Sequence, residues 1–203
     1  MSQVTTSRAH ETRQRLLDAA EHVLLDEGAE SLTLDAVAAS AGVSKGGLLY
    51  HFGTKEALVV GVVSRAVETV DAELHRASAS AAPGDFARAY IDLCLPAQDA
   101  REAGKTNALS AALIGVATVD PALIEPLRTA FGRWQSRLEN DKIDVVAASV
   151  IRLAVDGWWL AEVLDLPKPT VAPTAIRTYL EGLLKSPARS QRSRRRATGE
   201  LPN

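Results

Sequence analysis

The sequence predicts an all-α protein, and three observations carry that reading. Aromatic residues make up only 4% of the 203-residue chain, alternating apolar and polar runs are short, and Ala, Leu, Arg and Glu dominate the periodic segments. A hydrophobic content of 46% is enough to bury a core, which excludes fibrous and disordered compositions.

A first helix is predicted from about Thr12 to Glu27, with Leu16, Ala20, Val23 and Leu24 at helical spacing and Gly28 as its stop. A second begins after Thr33, a good N-cap; it carries Leu34, Val37, Ala38 and Ala41 on one face, with Asp35 in its first turn to complement the helix dipole, and Gly42 ends it. Ser44 caps a short third helix whose inward positions are Leu48 and Phe52. Gly53 then breaks the chain, and Thr54 caps a long fourth helix reaching about Ala79, along which Leu58, Val62, Ala66, Val70 and Leu74 form a stripe. After the break at "SASAAPGD", further helices are predicted over 86–95, 106–119, 121–138, 144–165 and 174–185. The final "SPARSQRSRRRATGELPN" has no apolar periodicity and reads as a disordered basic tail.

Charge argues for little on its own. Basic against acidic residues number 5 against 8 in 1–60, 13 against 16 in 61–185 and 5 against 1 in 186–203. Any affinity for nucleic acid must therefore come from a few placed groups. The longest apolar runs, such as "ALVVGVV", fall well short of the roughly 20 residues a membrane span needs. Cys94 is the only cysteine and lies in the apolar string "YIDLCLPA", so it reads as a small buried hydrophobe in a reducing compartment. A soluble, cytoplasmic protein without membrane contact is expected. The four histidines show no metal-ligand spacing, and neither a metal nor a cofactor is expected.

The stretch "AGVSKGG", residues 41–47, admits two readings. Gly42-Val43-Ser44-Lys45-Gly46 satisfies the G-x-S-x-G pattern of a serine hydrolase nucleophile elbow, but an elbow needs a buried strand before the serine and an acid and then a histidine later in the chain. "LDAVAASA" reads as helix, and the last histidine, His75, follows Asp71 by only four residues. An enzyme is not expected. A helix-turn-helix explains more: Val43 fills the angle between two short helices, and Ser44 caps the second. Gly46 and Gly47 in its first turn cost about 1 kcal/mol each against alanine, which suits a backbone that must approach something closely. With Leu48 and Phe52 inward, Leu49 and Tyr50 face out beside Lys45, where they suit a thymine methyl, a base edge and a phosphate.

The string "TLDAVAASAGVSKGGLLYHFGTKEALV" resembles the DNA-binding module of the tetracycline-repressor family of bacterial regulators, over about residues 10–62. The resemblance implies phosphate contacts from Thr33, Ser44, Lys45, Tyr50, His51 and Lys55, and close approach to bases at Gly46, Gly47 and Leu49. Gly47, Leu49 and Gly53 stand where the family often has Thr or Ala, Tyr, and Pro. It further implies a homodimer that pairs its last two helices in a four-helix bundle and sets two reading helices on one face of a palindromic operator in double-stranded DNA.

The sequence supports the pairing independently. Val146, Val150, Leu153, Gly157, Leu160 and Leu164 make one apolar stripe, and Ile176, Leu180, Leu183 and Leu184 make another. "IRLAVDGWWLAEVLDLP" resembles the C-terminal domains of multidrug-sensing members. Trp134, Trp158 and Trp159, with Asp156 and Glu162 nearby, could hold a flat or cationic effector by stacking and cation-π contact, or could simply fill core or interface. Arg152 and Asp156 are spaced to pair along one helix face. The expected organisation is a DNA-binding domain over 1–55, an effector-binding and dimerisation domain over 56–185, and the tail over 186–203. The expected function is a ligand-responsive repressor, against an effector-independent DNA binder and, remotely, a serine hydrolase.

Overall fold

A computed structural model describes residues 2–80, 82–95, 109–111 and 120–185, with side chains from residue 7 onward. The described residues contain helices and turns and no strand. They form two compact units, one within Met1–Val70 and Ala100–Ala130, the other within Asp71–Asp99 and Phe131–Asn203. The expected tail and all but 109–111 of the expected helix over 106–119 lie outside the described residues; 109–111 are helical.

In the first unit, α1 (Ser2–Asp26) is followed by a 3-10 turn (Ala29–Ser31), α2 (Leu34–Ala41), α3 (Lys45–His51) and the start of α4 (Lys55–Ala77). Helix α1 begins about ten residues earlier than periodicity predicts. Residues 2–11 lack an apolar stripe but contain neither Gly nor Pro, and local bonds support the turn: Ser7 Oγ donates to Glu11 Oε1 at 3.0 Å and Thr12 Oγ1 to the Arg8 carbonyl at 2.9 Å. Gly42 ends α2 in the left-handed conformation, φ 64°, a position that suits glycine.

The inward positions read from periodicity form this unit's core. Leu16, Ala20, Val23 and Leu24 of α1 pack with Val37, Ala38 and Ala41 of α2, with Leu48 and Phe52, and with Leu58 and Val62 of α4. Two arginines add polar ties: Arg15 donates to the Ala41 carbonyl at 2.5 Å, and Arg65 meets Asp18 at 2.5 Å and Glu21 at 2.6 Å.

The second unit takes the end of α4, α5 (Asp85–Cys94), the latter part of α6 (Glu125–Glu139), α7 (Val145–Val163) and α8 (Pro173–Leu183). The helix read over 121–138 is divided, with a 3-10 turn at Pro121–Ile124 before α6. Pro126 has no N–H to donate back into that turn, and it is tolerated only because it falls in the first turn of α6. Asp141 closes the N-terminus of α5, accepting from Ala87 N at 2.8 Å and Phe86 N at 3.3 Å. Burial, partly offset by these two bonds, raises its carboxyl above the usual range.

The two apolar stripes have different fates. On α7, Val146, Val150, Leu153, Leu160 and Leu164 are exposed, Leu153 by 73%. On α8 the reading of an unpartnered stripe is corrected: Leu180 and Leu184 are buried in the unit's own core, and Tyr179 is the large side chain left outward. Among the described residues no helix is long and apolar enough to cross a membrane.

Candidate nucleic-acid interface and effector site

The helix-turn-helix reading rests on caps that sequence alone suggested. Thr33 Oγ1 accepts from Ala36 N, Ser44 Oγ from Gly47 N and Thr54 Oγ1 from Ala57 N, each at 3.1 Å. Ser44 follows helix α2 and its turn, where a nucleophile elbow would need a strand, and its hydroxyl serves as a cap. The local fold is that of two short helices meeting at Gly42-Val43.

On α3, inside and outside separate cleanly. Leu48 is fully buried, whereas Leu49 is 40% and Tyr50 81% exposed. Tyr50 thus does not pack between α3 and α4; its ring lies nearly perpendicular to that of the half-buried His51, with centroids 5.1 Å apart. Lys45 is exposed, its ammonium 2.9 Å from Asp35 Oδ2, an ion pair that sequence reasoning missed although it singled out both residues. Lys55, half-buried, opens α4.

The two glycines of α3 differ. A Cβ on Gly47 would stand 3.3 Å from the capping Ser44 Oγ, which is one internal reason for glycine there. A Cβ on Gly46 would meet nothing within 4 Å, so nothing in the fold itself requires glycine at that exposed position.

The tryptophans of the second unit belong to an aromatic row. Trp134 packs at 6.2 Å from Tyr90 and 5.1 Å from Phe131, and Phe131 lies 6.3 Å from Trp159; Phe86 extends the row beside Tyr90. Trp134 is only 5% exposed and donates from Nε1 to Asp71 Oδ1 at 2.6 Å, a core role with its polar edge satisfied. Trp158 and Trp159 are half-exposed. Tyr90 and Phe131 were not legible as parts of this row, since they lie on α5 and α6, far from α7 in sequence.

The carboxylates beside the row are engaged. Asp156 accepts from Tyr90 OH at 2.6 Å and pairs with Arg152 at 3.1 Å, the i, i+4 pair foreseen; Arg152 also reaches Gln135 and lies 5.6 Å from the Phe131 ring centre. Asp71 holds Arg133 as well as Trp134, and Glu162 pairs with Lys168 at 2.8 Å. Burial and the Asp156 bond push the Tyr90 hydroxyl far up, which keeps it a donor. The Cys94 thiol is pushed up to about 12, mainly by burial, so it stays protonated and unreactive.

Comparison with known proteins matches this arrangement. Residues 16–62 fit the family model of bacterial regulatory proteins, tetR family, and residues 84–192 that of the tetracyclin repressor-like C-terminal domain. The regulator SrpR of Pseudomonas putida is 39% identical over 64 residues, 32% of this chain and 30% of that protein. TtgR, also of Pseudomonas putida, is 38% identical over 76 residues, 37% of this chain and 36% of that protein, so the matched stretch spans about a third of these relatives. Among solved structures, the transcriptional regulator SCO7518 of Streptomyces coelicolor A3(2) shares the fold, with TM-score 0.69 and 21% identity over 87% of this chain and 99% of that one. The multidrug binding protein EbrR, complexed with malachite green, is similar with TM-score 0.62 and 25% identity over 84% of this chain and 96% of that one. With one family model on the helix-turn-helix and the other covering more than half of the sequence, the chain belongs to the tetR family of bacterial transcriptional regulators.

Proposed function

We propose that this protein is a repressor that holds a palindromic operator as a homodimer and releases it when a small aromatic or lipophilic molecule binds. The observation that carries the DNA reading is the outer face of α3. It presents an exposed Leu49-Tyr50 pair without a packing role beside Gly46, whose missing side chain leaves open space. Leu49 and the backbone at Gly46 and Gly47 approach base edges, while Thr33, Ser44, Lys45, Tyr50, His51 and Lys55 meet phosphates. The functional division is 1–55 for DNA, 56–185 for effector and dimer, and 186–203 as a basic tail, in a protein that works in the cytoplasm where the operator is.

The second copy docks on α7, whose exposed Val146, Val150, Leu153, Leu160 and Leu164 form a continuous apolar face. Trp158 and Trp159 supply the open aromatic surface for the effector, and Trp134 supports them from the core. Malachite green, the ligand of the similar EbrR, is an aromatic cation. A ligand of that kind competes with Arg152 for Asp156, and this exchange acts on α7, the helix on which the copies pair. The resulting coupling should be about 1 to 3 kcal/mol, or 5- to 150-fold in operator affinity.

Linkage supplies the test. An aromatic cation that stabilises the protein thermally and quenches its tryptophan fluorescence should weaken binding to an enriched operator duplex, and saturating duplex should weaken binding of that compound by the same factor. If no stabilising compound changes operator affinity, the protein is an effector-independent DNA binder.

A further inference from the structure

The reading face has very little positive charge to work with. From Thr33 to Lys55 the chain carries two lysines, no arginine and one acid, Asp35. That acid lies in the first turn of α2, and the bend of the helix-turn-helix brings its Oδ2 to 2.9 Å from the Nζ of Lys45, the first residue of α3. Both side chains remain mostly solvent-exposed, at 56% for Lys45 and 70% for Asp35. Such a pair is held weakly and parts easily. Asp35 therefore cancels one of the two formal positive charges on this face, at a place where the fold does not need a carboxylate for burial or packing.

We propose that Asp35 is an exchangeable counter-ion for Lys45, which lowers the protein's affinity for every DNA sequence and makes that affinity less dependent on salt. The proposal rests on the reading of α3 as the DNA-contacting helix. In the free protein the Lys45 ammonium is already neutralised. A docked backbone phosphate must take Lys45 from Asp35, and the released carboxylate must then acquire a cation from solution. The cation taken up offsets one of the counter-ions that the DNA releases. The exchange is equally unfavourable on every sequence, so it weakens binding to the operator and to other DNA by the same factor. Asp35 acts through Lys45; it is a positioning and tuning residue and touches no DNA itself.

The test measures DNA affinity against salt for the full chain, Asp35→Asn, Lys45→Gln and the double variant. Two probes are used: a duplex enriched from random DNA by the unaltered protein, and a scrambled duplex of the same composition. Asp35→Asn should bind both probes more tightly and make the slope of log affinity against log salt steeper by about 1, so that its advantage grows about tenfold for each tenfold fall in salt. In the double variant the gain should vanish, leaving the slope of Lys45→Gln alone. An unchanged slope in Asp35→Asn, alongside a shallower one in Lys45→Gln, overturns the proposal. Loss of affinity confined to the enriched duplex also overturns it, because Asp35 would then read a base directly. If Asp35→Asn and the double variant share one slope, Lys45 is no phosphate contact, and the reading beneath the proposal fails with it. Matching helical content and thermal midpoints for the variants keep a folding defect from imitating any of these results.

Discussion

Gly46 shows how a single residue can separate folding from function. A methyl added there meets nothing within 4 Å, and the backbone is not in the left-handed region. Gly46→Ala should therefore raise stability, by up to about 1 kcal/mol from helix propensity. If a duplex backbone or base edge comes close at this point, the same methyl must weaken DNA binding. The expected outcome is a higher thermal midpoint together with a lower affinity for an enriched duplex. A stabilised variant of unchanged affinity would mean that DNA does not approach α3 at Gly46. Much at this scale was legible: Thr33, Ser44 and Thr54 are caps because short hydroxyls before apolar periodic runs have a specific backbone amide to satisfy. The Lys45–Asp35 pair was not, since it depends on the angle between two helices and joins residues ten apart.

At the scale of elements, α4 carries Gly61 in its interior, where glycine is disfavoured by about 1 kcal/mol against alanine. The reason is on the neighbouring side: a Cβ there would stand 2.8 Å from Phe52 Cε1 and 3.2 Å from Leu17 Cδ2, both on buried side chains of the first unit. Overpacking of this kind costs about 1 to 3 kcal/mol and outweighs the propensity gain. Gly61→Ala should thus lower stability in denaturant titration, the opposite of Gly46→Ala; a gain would show that Phe52 can move aside. Such long-range packing leaves no trace in periodicity, which located the stripe of α4 but not the exception within it. The same limit applies to α5, whose amides at Phe86 and Ala87 are closed by Asp141, more than fifty residues away.

That closure has a pH signature. Burial raises the Asp141 carboxyl above its ordinary value of 3.8, so between that pH and the higher folded value the folded chain binds more protons than the unfolded one. Its titration therefore favours the fold at the acid end of this window and loses that advantage as pH rises through the folded value. Asp141→Asn removes the step. The stability difference between variant and parent should shift toward the variant as pH rises through the window and stay constant above it. A difference independent of pH would mean that Asp141 titrates alike in both states.

At the scale of the whole molecule, the proposed dimer depends on symmetry. Periodicity found both apolar stripes near the C-terminus but could not tell which was already covered: on α8 Leu180 and Leu184 turn into the unit's own core, while on α7 Leu153 and its neighbours stay exposed. Both stripes have helical spacing, and only the packing of the unit tells them apart. A dimer formed on α7 must present its two α3 helices to successive major grooves, roughly 34 to 36 Å apart or a further helical turn away. The bound sequence must then be an inverted repeat, with each exposed side chain of α3 read twice. Selection from random DNA by the parent and by Leu49→Ala measures this directly. The account predicts a palindromic motif for the parent and, for Leu49→Ala, loss of preference at the same base position in both half-sites, by about 1 to 3 kcal/mol. An identical motif from the two proteins, or one without inverted symmetry, would contradict it.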